Sequence, residues 1–195
     1  MSTQFSKRTA QGKLKILVLL AVMLGGVGSL LVPPQPASAS HQSEGVWANA
    51  VSGCAIDEAD ISEYVVGKSL SHKAATIKTI VSRCNVENLP LSPPAFGGNP
   101  NGLELVYRDP DGPGTAYQVI AKLQQLTNSG AVVTLATVDS NTEAIASPAF
   151  QTQFKLFSHD FDFDNNAYYV EVIVFRTNAQ RVPAAVIVRL TGILI

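Results

Sequence analysis

Residues 158–176, SHDFDFDNNAYYVEVIVFR, decide how this chain is read. Phe161 and Phe163 alternate with Asp160, Asp162 and Asp164. After Asn165 and Asn166 a second alternating run sets Tyr168, Val170, Val172 and Val174 against Tyr169, Glu171, Ile173 and Phe175. A period of two sends successive side chains to opposite faces of a strand. Asp and Asn tolerate positive φ, so Asp164-Asn165-Asn166 suits a tight turn. The spacing predicts a β-hairpin. Its first arm runs from 150 to 163, where the apolar parity switches from Phe154 and Leu156 to Phe157, Phe161 and Phe163. A one-residue bulge near 156–158 accounts for the switch.

The same logic extends in both directions. Residues 178–183 form a turn before a last strand at 184–195. Upstream, NSG at 128–130 is a hairpin turn between long alternating strands at 115–127 and 131–138. DPDGPG at 109–114 is a strong turn signal that ends a strand at 103–108. Prolines and glycines make 88–102 a loop. Strands are also predicted at 46–54 and 64–66. Residues 69–86 are ambiguous: Leu70, Ala74, Ile77, Val81 and Cys84 fit helical spacing, whereas the β-branched density of TIKTIVSRCNV favours a strand at 76–86. Eight or nine strands at regular spacing, with no convincing helix, predict an all-β protein: a two-sheet antiparallel β-sandwich, jelly-roll-like.

The N-terminus reads as an address. Lys7, Arg8, Lys13 and Lys15 precede a 17-residue apolar run at 16–32, followed by Ala37-Ser38-Ala39. These are the three parts of a secretory signal peptide, cleaved after Ala39. Three glycines in the apolar run argue against an uncleaved membrane anchor. The expectation is one β-sandwich domain at 40–195, exported to the periplasm or the extracellular space, with no stable membrane insertion after cleavage. The leader removes four of 14 basic residues and none of 15 acidic ones, leaving 10 against 15, a formal −5. That sign disfavours nucleic acid and anionic membrane as partners.

Cys54 and Cys84 are the two cysteines. An even count in an exported chain predicts a disulfide. Their spacing, with only three histidines in the chain, does not make zinc-ligand spacing.

Several constellations carry weaker chemistry. Asp160, Asp162, Asp164, Asn166, Tyr168 and Glu171 occupy positions 1, 3, 5, 7, 9 and 12 of a calcium loop, but Asn165 stands where glycine is needed and no helices flank it. Asp109 and Asp111 offer a second carboxylate turn. Calcium is the one cofactor these turns suggest, against the simpler reading of solvated turns. Asp57, Glu58, Asp60 and Glu63 read as a solvated acidic loop. Ser158-His159-Asp160 has the residue types of a hydrolytic triad, but strand neighbours point to opposite faces and no G-x-S-x-G elbow exists. Trp47, Tyr107, Tyr117, Tyr168 and Tyr169 could stack on sugar rings if exposed together, although strand aromatics more often pack in cores.

The segments YRDPDGPGTAYQVIAKLQQL and HDFDFDNNAYYVEVIVFR, after the Cys54 and Cys84 pair, resemble small exported bacterial β-sandwich proteins of unknown function. The resemblance covers most of 40–195. It implies a β-sandwich and carries over no activity and no functional residue.

The function expected from the sequence is a non-enzymatic binding, surface or structural module whose partner is a carbohydrate or a protein surface. The alternative is a jelly-roll carbohydrate-binding module with a structural calcium ion. A small secreted hydrolase is the third reading, and it lacks a motif.

Overall fold

A computed structural model describes residues 44–73, 75–87, 100–142 and 149–192. The predicted leader and its cleavage site, most of the loop at 88–102 and the last three residues lie outside the described residues. The described residues form eleven strands: β1 (Glu44–Ala50), β2 (Ala55–Ile56), β3 (Tyr64–Val66), β4 (Leu70–His72), β5 (Thr79–Val86), β6 (Gly102–Arg108), β7 (Tyr117–Thr127), β8 (Val132–Asp139), β9 (Gln151–Leu156), β10 (Asn166–Arg176) and β11 (Ala184–Gly192). The ambiguous 69–86 stretch is two strands, because β5 buries one parity only: Ile80, Ser82, Cys84 and Val86. The two strands beyond the expected nine are the short β2 and β4.

All pairings are antiparallel. The first sheet runs β3-β4-β11-β6-β9, with β1 beside β4 along the same edge of β11; the second runs β2-β5-β10-β7-β8. From β4 onward every connection crosses between sheets except β7 to β8, which is a hairpin. That alternation is jelly-roll connectivity. Gly130, at φ 83°, makes the β7–β8 turn, a conformation that costs glycine nothing.

The core is built from the inward parity of both sheets. Leu103, Leu105 and Tyr107 from β6 meet Val119, Ala121 and Leu123 from β7 and Val170, Val172 and Val174 from β10. Arg176 ends the buried parity of β10, 1% exposed. Its guanidinium donates to the carbonyls of Thr76, Asn178 and Ala179, which ties two chain segments to the end of the second sheet. The Cys54–Cys84 disulfide is formed, one step along from the Ala55–Arg83 pair of β2 and β5.

The hairpin predicted at 158–176 is a correction. β9 and β10 lie in different sheets, β9 against β6 and β10 between β5 and β7. Residues 157–165 carry the chain from one sheet to the other, so β9 ends where a bulge was expected. The alternating phenylalanines do not line a strand face. They gather around Tyr168, with the Phe161 and Phe163 ring centroids 4.7 and 4.9 Å from it. The turn itself is real: the Asn166 N–H donates to the Asp162 carbonyl at 3.0 Å.

The parity of β9 is also inverted from expectation. Gln153 faces the interior opposite Leu105, whereas Phe154 lies opposite Glu104 on the outer face and Leu156 is exposed. Phe154 finds its place over Gly102, where no Cβ obstructs its ring.

Candidate functional site: the cleft between the open edges of the two sheets

β8 closes one side of the second sheet and β9 closes one side of the first. Each pairs on a single edge among the described residues, and between them lies a cleft of about 510 Å³ lined by residues 134–139, Thr142 and residues 153–156. That volume is in the range of small-ligand sites. It lies where consecutive strands belong to opposite sheets, and among the described residues no strand bridges β8 and β9.

Gln153 is the central side chain. It is 9% exposed, its Nε2 donates to Thr142 Oγ1 at 3.0 Å, and its buried Oε1 has no donor among the described residues. Thr142 Oγ1 in turn donates to the Asp139 carbonyl, which fixes the amide's orientation. Lys155 is two residues on, so the period of two places it on the same face of β9 as Gln153. It is exposed. Across the cleft, Ala136 and Val138 supply an apolar wall. The Asp139 carboxylate is engaged: both oxygens accept from Gln118 Nε2 and one accepts from the Asn141 N–H. Thr134 Oγ1 donates to Gln124. The cleft thus presents one unsatisfied amide acceptor, one ammonium and several hydroxyls. No nucleophile paired with a base is among its lining residues.

The residues singled out in the sequence fall elsewhere. His159 Nε2 lies 3.0 Å from the Tyr168 hydroxyl, its ring stacked edge-on with Phe161, and burial pushes its pKa below the ordinary 6.5. Ser158 and Asp160 are exposed, and the His159 ring turns to the Tyr168 hydroxyl and Phe161. Asp160, Asp162 and Asp164 are exposed as well. Asp162 spends its carboxylate on its own turn, accepting from the backbone N–H of Asp164 and Asn165 and from Asn165 Nδ2. Asp109 is fully buried and accepts from Ser140 Oγ and the Asp111 N–H. Asp111 accepts from the Ala116 N–H through Oδ2 and lies beside the Asp109 carboxyl. Among the described residues no three His, Cys, Asp or Glu side chains are grouped closely enough to hold a metal ion. Asp60 is not a solvated loop carboxylate: it is 5% exposed, accepts from the Val81 N–H and pairs with Lys78.

The aromatics do not form one exposed platform. Trp47, Tyr107, Tyr117 and Tyr168 are buried. Sequence reasoning passed over Gln153, Thr142 and Lys155, since a glutamine on the polar parity of a strand carries no signal until the parity is known to be inward.

Two facing antiparallel sheets with crossing connections define the class: an all-β jelly-roll sandwich carrying a disulfide. No family model and no curated protein matches this chain. Among solved structures it is similar to the C-terminal family 22 carbohydrate-binding module of Clostridium thermocellum Xyn10B, at 14% identity and a TM-score of 0.40, over 82% of this chain and 92% of that one. A xylan-binding domain of the same module family aligns at 14% identity and a TM-score of 0.39, over 82% of this chain and 93% of that one.

Proposed function

We propose that this is an exported, non-enzymatic binding module and that the β8–β9 cleft takes a hydroxyl-rich ligand of the carbohydrate class. Export rests on the leader at 1–39 together with the Cys54–Cys84 bridge, which an oxidising compartment maintains. The observation that carries the site is Gln153. A buried amide oxygen without a donor costs about 1–3 kcal/mol, and a ligand hydroxyl entering the cleft relieves that cost. The neighbouring Lys155 ammonium and the threonine hydroxyls suit the same ligand chemistry. A site that orients hydroxyls without a nucleophile or an acid–base pair supports retention rather than turnover.

The test is affinity electrophoresis of the exported protein through gels containing soluble polysaccharides, xylan among them, with isothermal titration for any that retard it. Wild type is expected to be retarded by at least one polysaccharide. Gln153→Leu, which keeps the volume and removes the acceptor, is expected to weaken binding at least about tenfold while melting as a folded protein. No retardation on any polysaccharide, or equal binding by Gln153→Leu, would overturn the assignment.

A further inference from the structure

The tip of the β7–β8 hairpin projects beyond the cleft, which reaches along β8 only to Thr134. From Leu123 to Val138 sixteen consecutive residues carry no charge. At the tip, Leu126 is 38% exposed, Val132 53% and Val133 44%. Val132 pairs with Leu126 on one face of the ribbon, and Val133 pairs with Gln125 on the other, so each face carries an exposed valine at the tip.

β8 is also an outer edge, and its tip half has few of the usual protections. Exposed edges are ordinarily blunted by lysine, proline, inward charge or a bulge. β8 has a single bulge, where Leu135 is skipped between the Leu123–Ala136 and Gln124–Thr134 pairs. That bulge divides the strand. Residues 134–139 line the cleft, and residues 132–134 are exposed throughout.

We infer that the tip half of β8 pairs antiparallel with the same segment of a second copy of this chain, making a two-fold dimer in which the second sheets join edge to edge. Charge selects this occupant. Residues 40–195 carry a formal −5, so two copies repel over most of their surfaces. The hairpin is the face they can bring together without opposing like charges. Strand pairing about a two-fold axis centred near Val133 sets valine against valine and threonine close to valine, a self-complementary register that stabilises without partner-specific groups. A second exposed apolar group, Ile61, Val65 and Val66 on and beside β3, is flanked in sequence by Glu58, Glu63 and Lys68 and does not share this neutrality. A contact of so few residues belongs to the small, reversible class of interfaces.

Sedimentation velocity of the exported protein, from about 1 µM to about 500 µM, reads the association. Wild type is expected to move from monomer toward dimer across that range. Val133→Lys places like charges opposite each other and is expected to weaken dimerisation at least about tenfold, with unchanged circular dichroism and melting because the site is exposed. Val65→Lys is expected to leave association unchanged. The inference fails if wild type stays monomeric throughout, if Val133→Lys dimerises like wild type, or if Val65→Lys is the variant that abolishes the dimer. Because Val133 does not line the cleft, Val133→Lys is expected to retain polysaccharide retardation, which separates this result from the cleft assignment.

Discussion

Asp109 and Ser140 are thirty-one residues apart, both fully buried, and joined by a hydrogen bond from Ser140 Oγ to the Asp109 carboxylate. Ser140 Oγ also accepts from the Val119 N–H at 2.9 Å. One serine therefore links the end of β6, the start of β7 and the connection that leaves β8. Desolvation raises the Asp109 pKa to about 6, and the Ser140 bond pulls against that rise. With the folded value above the ordinary 3.8, the folded state holds a proton the unfolded chain has released, so this group's contribution falls as pH rises from about 4 to about 6.

Ser140→Ala removes a donor to a charged acceptor and strands the Val119 N–H, and is expected to cost about 2–3 kcal/mol. The loss is expected to be larger near pH 7.5 than near pH 4.5, since without the serine the ionised Asp109 is less well satisfied. Urea unfolding at the two pH values measures both terms, and an equal loss at both would contradict the assigned bond.

His72 acts in the opposite sense. It is 3% exposed, its Nε2 lies 2.6 Å from the Lys78 carbonyl, and its buried Nδ1 has no partner among the described residues. Burial lowers its pKa from 6.5. The unfolded chain then binds the proton first, so its contribution is complete above pH 6.5 and declines as pH drops below it. In His72→Gln the difference in urea midpoint between about pH 7 and about pH 5.5 is expected to shrink relative to wild type. An unchanged difference would remove His72 from the acid response.

The Cys54–Cys84 bridge closes a loop with a sequence separation of 30. Reduction, or Cys54→Ser with Cys84→Ser, is expected to cost about 3–4 kcal/mol through the entropy restored to the unfolded chain. Urea midpoints at constant slope provide the comparison.

Gly102→Ala puts a methyl 2.1 Å from Phe154 Cε2 and 2.6 Å from Thr191 Oγ1. The ring must leave its seat, and the expected cost is about 1–3 kcal/mol, seen as a lower melting temperature. A second change, Phe154→Leu, is expected to recover part of it by freeing the space above residue 102. No recovery would point to backbone displacement instead.

Asp162 organises the turn that delivers the chain to β10 through three accepted bonds. Asp162→Ala is expected to cost about 1–2 kcal/mol, equally with calcium and with chelator. A wild-type melt raised by calcium and not by magnesium would instead assign the exposed aspartates to a bound ion.

The alternation of β6, β7 and β10 was legible because each buries one parity against the facing sheet, and period two survives in the sequence whatever the strand's neighbours. Gly130 was legible for a similar local reason, since a two-strand ribbon needs positive φ at its turn. The aspartates and phenylalanines of 160–164 misled for the converse reason: alternation also results when rings on a non-strand segment wrap a single tyrosine. The parity of β9 was hidden because Phe154 is accommodated outside by a glycine fifty-two positions upstream, and no window along the chain contains both.

The sequence by itself determined that this chain is all-β, where its turns lie, and that its two cysteines would pair. Those properties depend on local dihedral preference, on period and on cysteine number. Only the tertiary structure decided which sheet each strand joined, that β9 and β10 part company, and that Gln153 faces a cleft with an unsatisfied acceptor. Strand partnership is fixed by burial across the sandwich between residues distant in sequence, so the site, which exists only where two sheet edges meet, is written in no single stretch of the chain.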